Sequence, residues 1–401
     1  ALTELFLAEG QTQTCTLGSV KSMIGHTKCA AGLAGLIKVS MSLYHKVRPP
    51  TLHIETPNQA YEAIHSPFCF ERGARPWIAE DGTRVGGVSA FGFGGTNFHA
   101  VLREETVSNK GAQQREVWSS EPILLMGNSI EDARTFGLEV AESLGKRREM
   151  KAAANLTIRS LAYSIYRLSK DRFKSTKLQA LLWISSLEEA EEGLRHFASD
   201  QAHACLLKLN VPLSEEIASS QTAFVFPGQG AQRVSMMRDL FISFPHLTAR
   251  LNESVEHAQL IFPSHPIDRQ HKRSQQEALT DTRNAQPALG ICDLAMHDLL
   301  SLFGVQADHL AGHSYGELVA LCVAGILPDS KLSKISAKRG ELILNATGAL
   351  DADGGDPGSM AAIVGRAEEV RQALNENARF NDVTLANLNA PTQTVISGPT
   401  S

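Results

Sequence analysis

The chain has 401 residues, a formal net charge of −5, 43% hydrophobic residues and 20% charged residues. This composition is typical of folded globular proteins and excludes a disordered chain or a collagen-like fibre, and the length predicts two or three domains. Because the charge balance is slightly acidic and no dense block of Lys and Arg occurs, we expect no nucleic-acid partner. No apolar run approaches the roughly 18 residues of a membrane span, so we expect no membrane segment.

The six cysteines are scattered along the chain without a C-x-x-C pair. This pattern predicts neither a disulfide framework nor a metal site, and it indicates a reducing cytosol. The N-terminus, ALTELFLAEG, carries no positively charged leader and no cleavage site, which favours a cytoplasmic location. The first residue is not methionine, and we expect both ends of the chain to cut through domains.

The first motif lies in residues 15–45, where a Gly-Ser turn leads to Lys21, then to His26, and then to a stretch dense in alanine and glycine from Ala30 to Leu36. This stretch predicts a helix. Its small side chains let backbones pack closely, so we expect the helix to be buried, with His26 at its N-terminal end. A lone histidine beside a buried helix is usually structural, and the nearby Lys21 favours a functional pair without establishing it.

Residues 86–102, GGVSAFGFGGTNFHAVL, only superficially resemble a dinucleotide-binding loop. The G-x-G-x-x-G pattern fails because Asn97 occupies the position of its last glycine. A strand-like run also follows where that motif needs a helix. We therefore expect no nucleotide to bind here.

The middle of the chain, residues 104–220, is more charged and alternates between strand-like and helix-like patterns. The expected strands are Pro122–Met126 and Leu178–Ile184. Helices are expected over residues 130–146 and Leu187–Phe197, and the spacing of Leu161, Ile165 and Leu168 predicts another helix between them. No pattern here indicates chemistry, so we interpret this α/β segment as a structural spacer.

The last part of the chain contains G-x-S-x-G in the string GHSYGE, residues 312–317. In this motif a serine sits on a sharp, strained strand-to-helix turn, and the flanking glycines avoid clashes with the neighbouring backbone. The context agrees, because His309–Ala311 can end a strand and Leu318–Ala324 can begin a helix. Ser314 would then lie at a helix N-terminus, where free N–H groups favour developing negative charge.

Two further features accompany this serine. The string FVFPGQGAQ, residues 224–232, predicts an apolar strand that runs into a Pro/Gly turn, which can direct a backbone N–H at an oxyanion. Arg339 lies in a predicted helix from Ser330 to about Asn345. Arginine suits bidentate binding of a carboxylate, although a lone helical arginine is usually a surface residue.

Residues 348–359, rich in Gly and Asp, predict a mobile surface loop.

Together these strings resemble the malonyl-type acyltransferase domain of polyketide and fatty-acid synthases. FVFPGQGAQ, TRNAQPAL, GHSYGE, KRGEL and NLNAPTQTVISG occur in the order and approximate spacing of that family. The resemblance implies that malonyl-CoA acylates Ser314, that the acyl group passes to the phosphopantetheine thiol of an acyl carrier protein, and that the chain itself binds no cofactor or metal. It also implies an oxyanion hole from the backbone N–H groups of Gln229 and Tyr315, a pairing of Arg339 with the malonyl carboxylate, and a substrate-binding role for Gln286.

The upstream strings GSVKSMIGHT and AFGFGGTN resemble the C-terminal part of a β-ketoacyl synthase, the decarboxylating condensing domain. The resemblance implies that His26 is one of two catalytic histidines, that Lys21 supports its site electrostatically, and that the synthase forms a homodimer through this domain. Met23 and Phe98 depart from the pattern of modular synthases, and Met23 is more similar to iterative synthases of the polyunsaturated-fatty-acid or enediyne kind. The family's nucleophilic cysteine and first histidine would precede residue 1, so we expect no condensing activity.

The resemblance implies an α/β fold in three parts. Residues 1–103 would be a partial, thiolase-like ketosynthase half, and residues 104–220 would be an α/β linker domain between the synthase and the acyltransferase. Residues 221–401 would be an α/β-hydrolase-like acyltransferase core with the start of a ferredoxin-like subdomain, truncated at its C-terminus.

Three questions stay open from the sequence: the base of Ser314, the class of protein, and the choice of acyl group. Ser314 needs a base, usually histidine, but the side chain of His313 should point away on such an elbow, and in the family the base lies several tens of residues beyond NAPTQTVISG, past Ser401. A serine hydrolase or thioesterase shares the elbow but would need an acid–histidine pair after Ser314 and no carboxylate-binding arginine. An inactive chain that docks the carrier protein or assembles the synthase is the other alternative, and the choice between malonyl and methylmalonyl is not determined.

Overall fold

The structure, a computed structural model, describes residues 2–7, 15–59, 61–62, 65–79, 83–105, 118–150, 156–173, 178–207, 220–266, 268–346 and 358–400. The chain forms two compact units: Ala1–Gln113 together with Ala223–Ser401 is the first, and Gln114–Thr222 is the second. Each unit combines helices and strands, which confirms the predicted α/β class. The loop predicted at residues 348–359 lies outside the described residues, except for its last two positions.

The N-terminal part of the first unit contains a long helix beside a β-hairpin. Its helices are α1 (Leu2–Leu7), α2 (Lys21–Ile24) and α3 (Ala31–His45), and its strands are β1 (Cys15–Thr16), β2 (Val47–Arg48), β3 (Phe68–Cys69), β4 (Arg75–Pro76), β5 (Val85–Phe91) and β6 (Asn97–Arg103). β5 and β6 pair antiparallel, with Phe91 opposite Asn97. The strand predicted after the glycine-rich turn is therefore confirmed.

Helix α3 packs on the hairpin through its small residues. A Cβ atom added at Gly35 would lie 3.3 Å from Val88 of β5, so the two backbones approach closely there. The opposite face of α3 is open, and the side chains of Leu33 and Ile37 are both 64% exposed. The expectation of a buried helix is therefore wrong, because within the described residues the hairpin covers only the glycine-bearing face.

The second unit is an antiparallel sheet with helices, in the strand order β7-β8-β9. Its elements are β7 (Glu121–Met126), α4 (Ile130–Glu149), α5 (Ile158–Arg172), β8 (Leu178–Ile184), α6 (Leu187–Ala198) and β9 (Leu206–Leu207). The strands and helices predicted for this segment are confirmed, with ends that differ by a few residues. Each helix begins at a hydroxyl side chain that accepts a backbone N–H bond, namely Ser129, Thr157 and Ser186.

Alternation along the strands builds the core of the second unit. Ile123 and Leu125 of β7 and Leu182 and Ile184 of β8 are all fully buried, whereas Trp183 between the last two is 50% exposed. A period of two residues places one face of the sheet against the helices and the other toward solvent. Burial of the apolar face therefore stabilises the folded unit, by roughly 25 cal/mol for each Å² of apolar surface removed from water.

The C-terminal part of the first unit contains a parallel strand pair, a bundle of helices and a small antiparallel sheet. Its strands are β10 (Ala223–Phe226), β11 (His309–Gly312), β12 (Ser359–Val364), β13 (Thr384–Ala390) and β14 (Gln393–Gly398). Its helices are α7 (Arg238–Ser243), α8 (Thr248–Asn252), α9 (Val255–Ile261), α10 (Arg269–Thr280), α11 (Thr282–Leu302), α12 (Gly316–Val323), α13 (Leu332–Ala346) and α14 (Ala367–Glu376). The helices predicted to start after Ser314 and to carry Arg339 are α12 and α13.

The parallel pair brings two distant loops together. β10 and β11 run in register from Ala223 opposite His309 to Phe226 opposite Gly312, so both strands end at the same level. The connection between them includes the long helix α11, whose middle is almost entirely buried. Loops that follow the carboxyl ends of neighbouring parallel strands lie side by side, which is where α/β proteins place their sites.

The two sequence-distant parts of the first unit also touch through polar contacts. Arg75 of β4 donates from Nη1 to the carbonyl of Phe262 at 2.7 Å, while its other guanidinium nitrogens bond the buried carboxylate of Glu71. The backbone N–H of Ala79 donates to Oδ1 of Asn252 at 3.4 Å. These bonds tie the segment after β3 to the helices α8 and α9.

A buried carboxyl group on α11 makes the stability of the first unit depend on pH. Oδ2 of Asp293 is buried without a hydrogen-bond partner among the described residues, and burial raises the pKa of this carboxyl to about 7. An unfolded chain ionises the same group near pH 4. Between about pH 4 and pH 7 the native state therefore holds a proton that the unfolded state has released, and stability falls by up to ~1.4 kcal/mol per pH unit.

We predict that Asp293→Asn is more stable than the unaltered protein above pH 7, because the neutral amide removes the cost of ionising a buried group. The advantage should be smallest near pH 4 and should grow to about 2–4 kcal/mol at pH 7 before levelling off. Urea unfolding at several pH values measures it, with Asp239→Asn as the control, because that side chain is 84% exposed. Parallel stability curves for the two variants would contradict the prediction.

Candidate functional site

Ser314 lies on a tight turn between β11 and α12. Its φ is +54°, in the left-handed region that costs a non-glycine residue about 1–2 kcal/mol. The turn is fixed by two backbone bonds, from His313 N–H to the Phe226 carbonyl and from Gly316 N–H to the His313 carbonyl, each 3.0 Å long. Ser314 itself is exposed. A strained serine is thus presented outward at the start of a helix.

The glycines on either side of the serine are required by close backbone packing. A Cβ atom at Gly312 would overlap the backbone of Gly316 and Glu317. A Cβ atom at Gly316 would overlap the carbonyl of Phe226 and lie 2.8 Å from the carbonyl oxygen of Pro227. No side chain fits at either position, which is the physical reason for the G-x-S-x-G pattern.

The turn after β10 lies directly against the serine. A Cβ atom at Gly228 would lie 2.8 Å from the His313 carbonyl oxygen and 3.4 Å from Cβ of Ser314. Gly230 closes the turn with a φ of +118°, and its N–H donates to the side chain of Gln232 at 2.7 Å. The structure therefore brings together the two strings that the sequence placed far apart.

A chain of amide and hydroxyl groups holds the side chain of Gln229 in this turn. Gln229 donates from Nε2 to Oγ1 of Thr282 at 3.1 Å, and Gln286 donates from Nε2 to Oε1 of Gln229 at 3.4 Å. Gln286 is only 1% exposed, and its own Oε1 has no partner among the described residues. Gln286 is therefore buried, and it contacts the turn through its hydrogen bond to the side chain of Gln229.

The side chain of Tyr315 is buried beneath the elbow. It is fully buried, and its hydroxyl forms a 2.9 Å hydrogen bond with Oγ of Ser336 on α13. Burial raises the pKa of this phenol, and the nearby positive charge of Arg339 acts in the opposite direction. The sequence predicted a role for the backbone of Tyr315 but not for Ser336. The position of Ser336, three residues before Arg339, was the only feature of the sequence that could have indicated it.

Arg339 is half-buried on α13 and forms no hydrogen bond or ion pair within the described residues. It borders an apolar depression of about 510 Å³, together with Leu318, one turn into α12, and Ile335, Leu342, Ile343 and Lys338. Its neighbour Lys338 differs, because it pairs with Glu341 at 2.7 Å. The guanidinium is therefore available to an incoming anion beside the elbow helix.

No histidine hydrogen-bonds Ser314 in the part of the chain that the structure describes. Nε2 of the adjacent His313 lies 3.4 Å from Oδ1 of Asn389, near the end of β13. Nδ1 of the same ring lies beside the glycine turn, where a Cβ atom added at Gly228 would come within 2.9 Å of it. Within the described residues, no hydrogen bond to the Ser314 hydroxyl therefore identifies its general base.

The two upstream candidates lie at opposite ends of the short helix α2. Lys21 is its first residue, and His26 follows its C-terminal end, where Gly25 has a φ of +75°. Both side chains are exposed, and Nδ1 of His26 accepts from the N–H of Lys28 at 3.0 Å. The described residues show no bond between Lys21 and His26. Sequence reasoning missed Lys38, whose ammonium group donates to the carbonyls at positions 19 and 50.

The described residues contain no candidate metal site and no helix that could cross a membrane. No group of three His, Cys, Asp or Glu side chains among them could hold a metal ion. No helix in the same part of the chain is both long and apolar enough to cross a membrane.

A strained serine on a strand–turn–helix elbow, with a glycine turn against it, is typical of nucleophilic sites in acyl-transfer enzymes. Residues 223–401 match the family model of the acyl transferase domain, and residues 1–55 match that of the beta-ketoacyl synthase C-terminal domain. The C-terminal part of the chain is therefore an acyl transferase domain, and its N-terminal part matches a ketosynthase domain, as the motifs predicted.

Known relatives agree with this assignment. A polyunsaturated fatty acid synthase polypeptide of Thraustochytrium sp. is 30% identical over 437 residues, and the polyketide synthase GfsA of Streptomyces halstedii is 32% identical over 387 residues. These alignments cover 99% and 95% of this chain, but the chain spans only 15% and 5% of the two relatives.

Solved structures share the fold. The acyl transferase domain of ZmaA gives a TM-score of 0.55 at 19% identity, covering 71% of this chain and 60% of that one. The acyltransferase domain from module 8 of the salinomycin polyketide synthase gives 0.52 at 22% identity, covering 71% and 61%. At these identities the likeness concerns the fold alone.

We predict that Gly316→Ala destabilises the first unit by about 3 kcal/mol or more, because the added methyl group meets backbone atoms that cannot rotate away. Thermal unfolding of the full chain measures the loss. Gly94→Ala is the matched control, since a Cβ atom at Gly94 meets nothing within 4 Å. Equal unfolding temperatures for the two variants would show that the elbow tolerates a side chain.

Proposed function

We propose that residues 221–401 transfer a malonyl-type acyl group from coenzyme A to the phosphopantetheine thiol of an acyl carrier protein, through an ester on Ser314. The observation that carries this proposal is the strained, exposed Ser314 at the start of α12, with the guanidinium of Arg339 beside the same helix and without a partner among the described residues. The serine supplies the nucleophile, and the arginine supplies the preference for an acyl group that bears a carboxylate.

The first step is attack of the Ser314 oxygen on the thioester carbonyl, which makes the serine ester and releases the thiol of coenzyme A. Negative charge develops on the carbonyl oxygen in the transition state. The backbone N–H groups of Gln229 and Tyr315 donate no hydrogen bond within the described residues, so both are available to this oxygen. The N-terminus of α12 adds its dipole to the same charge.

Arg339 would select the acyl group. A half-buried guanidinium without a partner is costly, and a carboxylate that binds it in two-point fashion removes that cost. The apolar side chains of Leu318 and Ile335 border the same depression, and a less hydrated environment strengthens the pairing. An acetyl or longer fatty acyl group would leave the arginine unpaired.

The second step returns the serine. The phosphopantetheine thiol of the carrier protein attacks the serine ester, forms a new thioester and leaves the Ser314 hydroxyl, so the acyl group is moved without net hydrolysis. Both steps need a group that accepts and returns a proton. The histidine that the family resemblance implies beyond Ser401 remains a prediction.

The remaining assignments are proposed on the same basis. Residues 1–103 would belong to the condensing domain of the synthase, with His26 and Lys21 in its site, and residues 104–220 would link that domain to the acyltransferase. Homodimer formation would run through the condensing domain. The six free cysteines support action in a reducing cytosol.

We predict that malonyl-CoA adds one malonyl group to the chain and that Ser314→Ala abolishes the addition, because the variant lacks the nucleophile. Intact-protein mass spectrometry followed by peptide mapping measures it, with the exposed serine variant Ser301→Ala as a control that keeps the label. A label that persists on Ser314→Ala would place the nucleophile elsewhere. Release of free malonate faster than transfer to a carrier protein would favour a hydrolase, and no adduct on the unaltered chain would favour a docking role.

We predict that Arg339→Ala lowers the rate of malonyl loading by about 10- to 100-fold, the range that a charge-assisted hydrogen-bond pair supports. Acetyl loading should change by less than about 3-fold, because an uncharged group gains little from the guanidinium. Competition between malonyl-CoA and acetyl-CoA measures the ratio. Lys338→Ala is the neighbouring control, since that lysine already pairs with Glu341. Equal loading of both donors by the unaltered protein would refute the role of Arg339.

A further inference from the structure

The buried hydrogen bond between Tyr315 and Ser336 joins the helix that presents the serine to the helix that carries the arginine. The two oxygen atoms are 2.9 Å apart, and both residues are fully buried. Oγ of Ser336 also donates to the carbonyl of Leu332 at 2.6 Å. Because the single hydroxyl hydrogen of Ser336 is used there, Tyr315 must be the donor to Ser336.

A glycine on a third helix makes room for this bond. A Cβ atom at Gly290 of α11 would overlap the Tyr315 hydroxyl and would lie 3.0 Å from a methyl group of Leu332. The phenol therefore reaches Ser336 only through the space that glycine leaves. A second glycine, Gly340 of α13, meets the backbone of α11 at the carbonyl of Thr282, where an added Cβ atom would lie 2.7 Å away. Helices α11 and α13 are thus in close contact on both sides of Ser336.

This bond provides a short route from the reacting serine to the guanidinium. Tyr315 directly follows Ser314 in the chain, and Ser336 lies three residues before Arg339, which places the two on one side of α13. A rotation or a slide of α13 would move Ser336 and Arg339 together.

We propose that the hydrogen bond from Tyr315 to Ser336 is a positioning device that sets the selectivity for a negatively charged acyl group. It fixes the distance from Arg339 to Ser314, so that a malonyl carboxylate meets the guanidinium while its thioester carbonyl lies at the serine. Tyr315 and Ser336 act through Arg339 and do not contact the acyl group with their side chains. The inference rests on the proposed function and adds the residues that determine its specificity.

The cleanest test is Tyr315→Phe, since Ser336 keeps its bond to the carbonyl of Leu332 and no buried polar group is left unpaired. The dissociation constants of malonyl-CoA and acetyl-CoA are measured on full chains that also carry Ser314→Ala, so that the thioester is not consumed. We expect the preference for malonyl-CoA over acetyl-CoA to fall by about 3- to 10-fold in Tyr315→Phe, through weaker malonyl binding alone.

Ser336→Ala and the double variant complete a cycle. Because both single changes break the same bond, the double variant should lose no more selectivity than the larger single loss. Tyr163→Phe, at a tyrosine that is 61% exposed in the second unit, serves as the control that leaves the preference unchanged.

Three outcomes would overturn the inference, and they are distinguishable. If the parent chain prefers malonyl-CoA and Tyr315→Phe retains the full preference, the bond has only a structural role, even if the unfolding temperature falls. If the parent chain binds both donors equally, the proposed function fails and the inference fails with it. Additive losses in the double variant would show that Tyr315 and Ser336 act independently, which contradicts a shared positioning bond.

Discussion

The acyl-transfer site depends on the close approach of two backbone segments at the ends of β10 and β11. The strands end in register, and the N–H of His313 donates to the carbonyl of Phe226, so the elbow is anchored to the neighbouring strand. Because no side chain fits at Gly312 or Gly316, close backbone packing restricts the conformation of the turn from the strand into the helix. The strained φ of Ser314 follows from this geometry, and packing of the rest of the unit offsets its cost.

The sequence predicted those parts of the site that local spacing encodes. The elbow is a short-range feature, because its glycines, its serine and the following helix are consecutive, and the glycine turn after β10 has its own local signature. The bond from Tyr315 to Ser336 was not predictable in this way. It joins residues 21 positions apart and depends on the rotation of two helices, which the pattern of apolar residues leaves undetermined. The burial of Gln286 behind Gln229 likewise appears only when α11 is in place.

Burial was harder to predict than secondary structure. In the second unit the short apolar runs of β7 and β8 predicted the strands, and the helices that cover their buried face belong to the same segment. Helix α3 shows the opposite case. Its small residues correctly predicted a helix in close contact with another backbone. Gly35 accounts for one face only, and nothing in the pattern indicated that Leu33 and Ile37 on the other face are exposed.

The first unit is built from two segments that lie on either side of the second unit in the sequence, and this has a consequence for biosynthesis. The bond from Arg75 to Phe262 joins residues 187 positions apart, with the whole second unit encoded between them. A ribosome that adds about 5–20 residues per second needs roughly 10 to 40 seconds to bridge that interval. During this time the Arg75 guanidinium can pair with Glu71 but not yet with the carbonyl of Phe262. The speed of translation through the second unit therefore sets how long the two parts of the first unit stay apart.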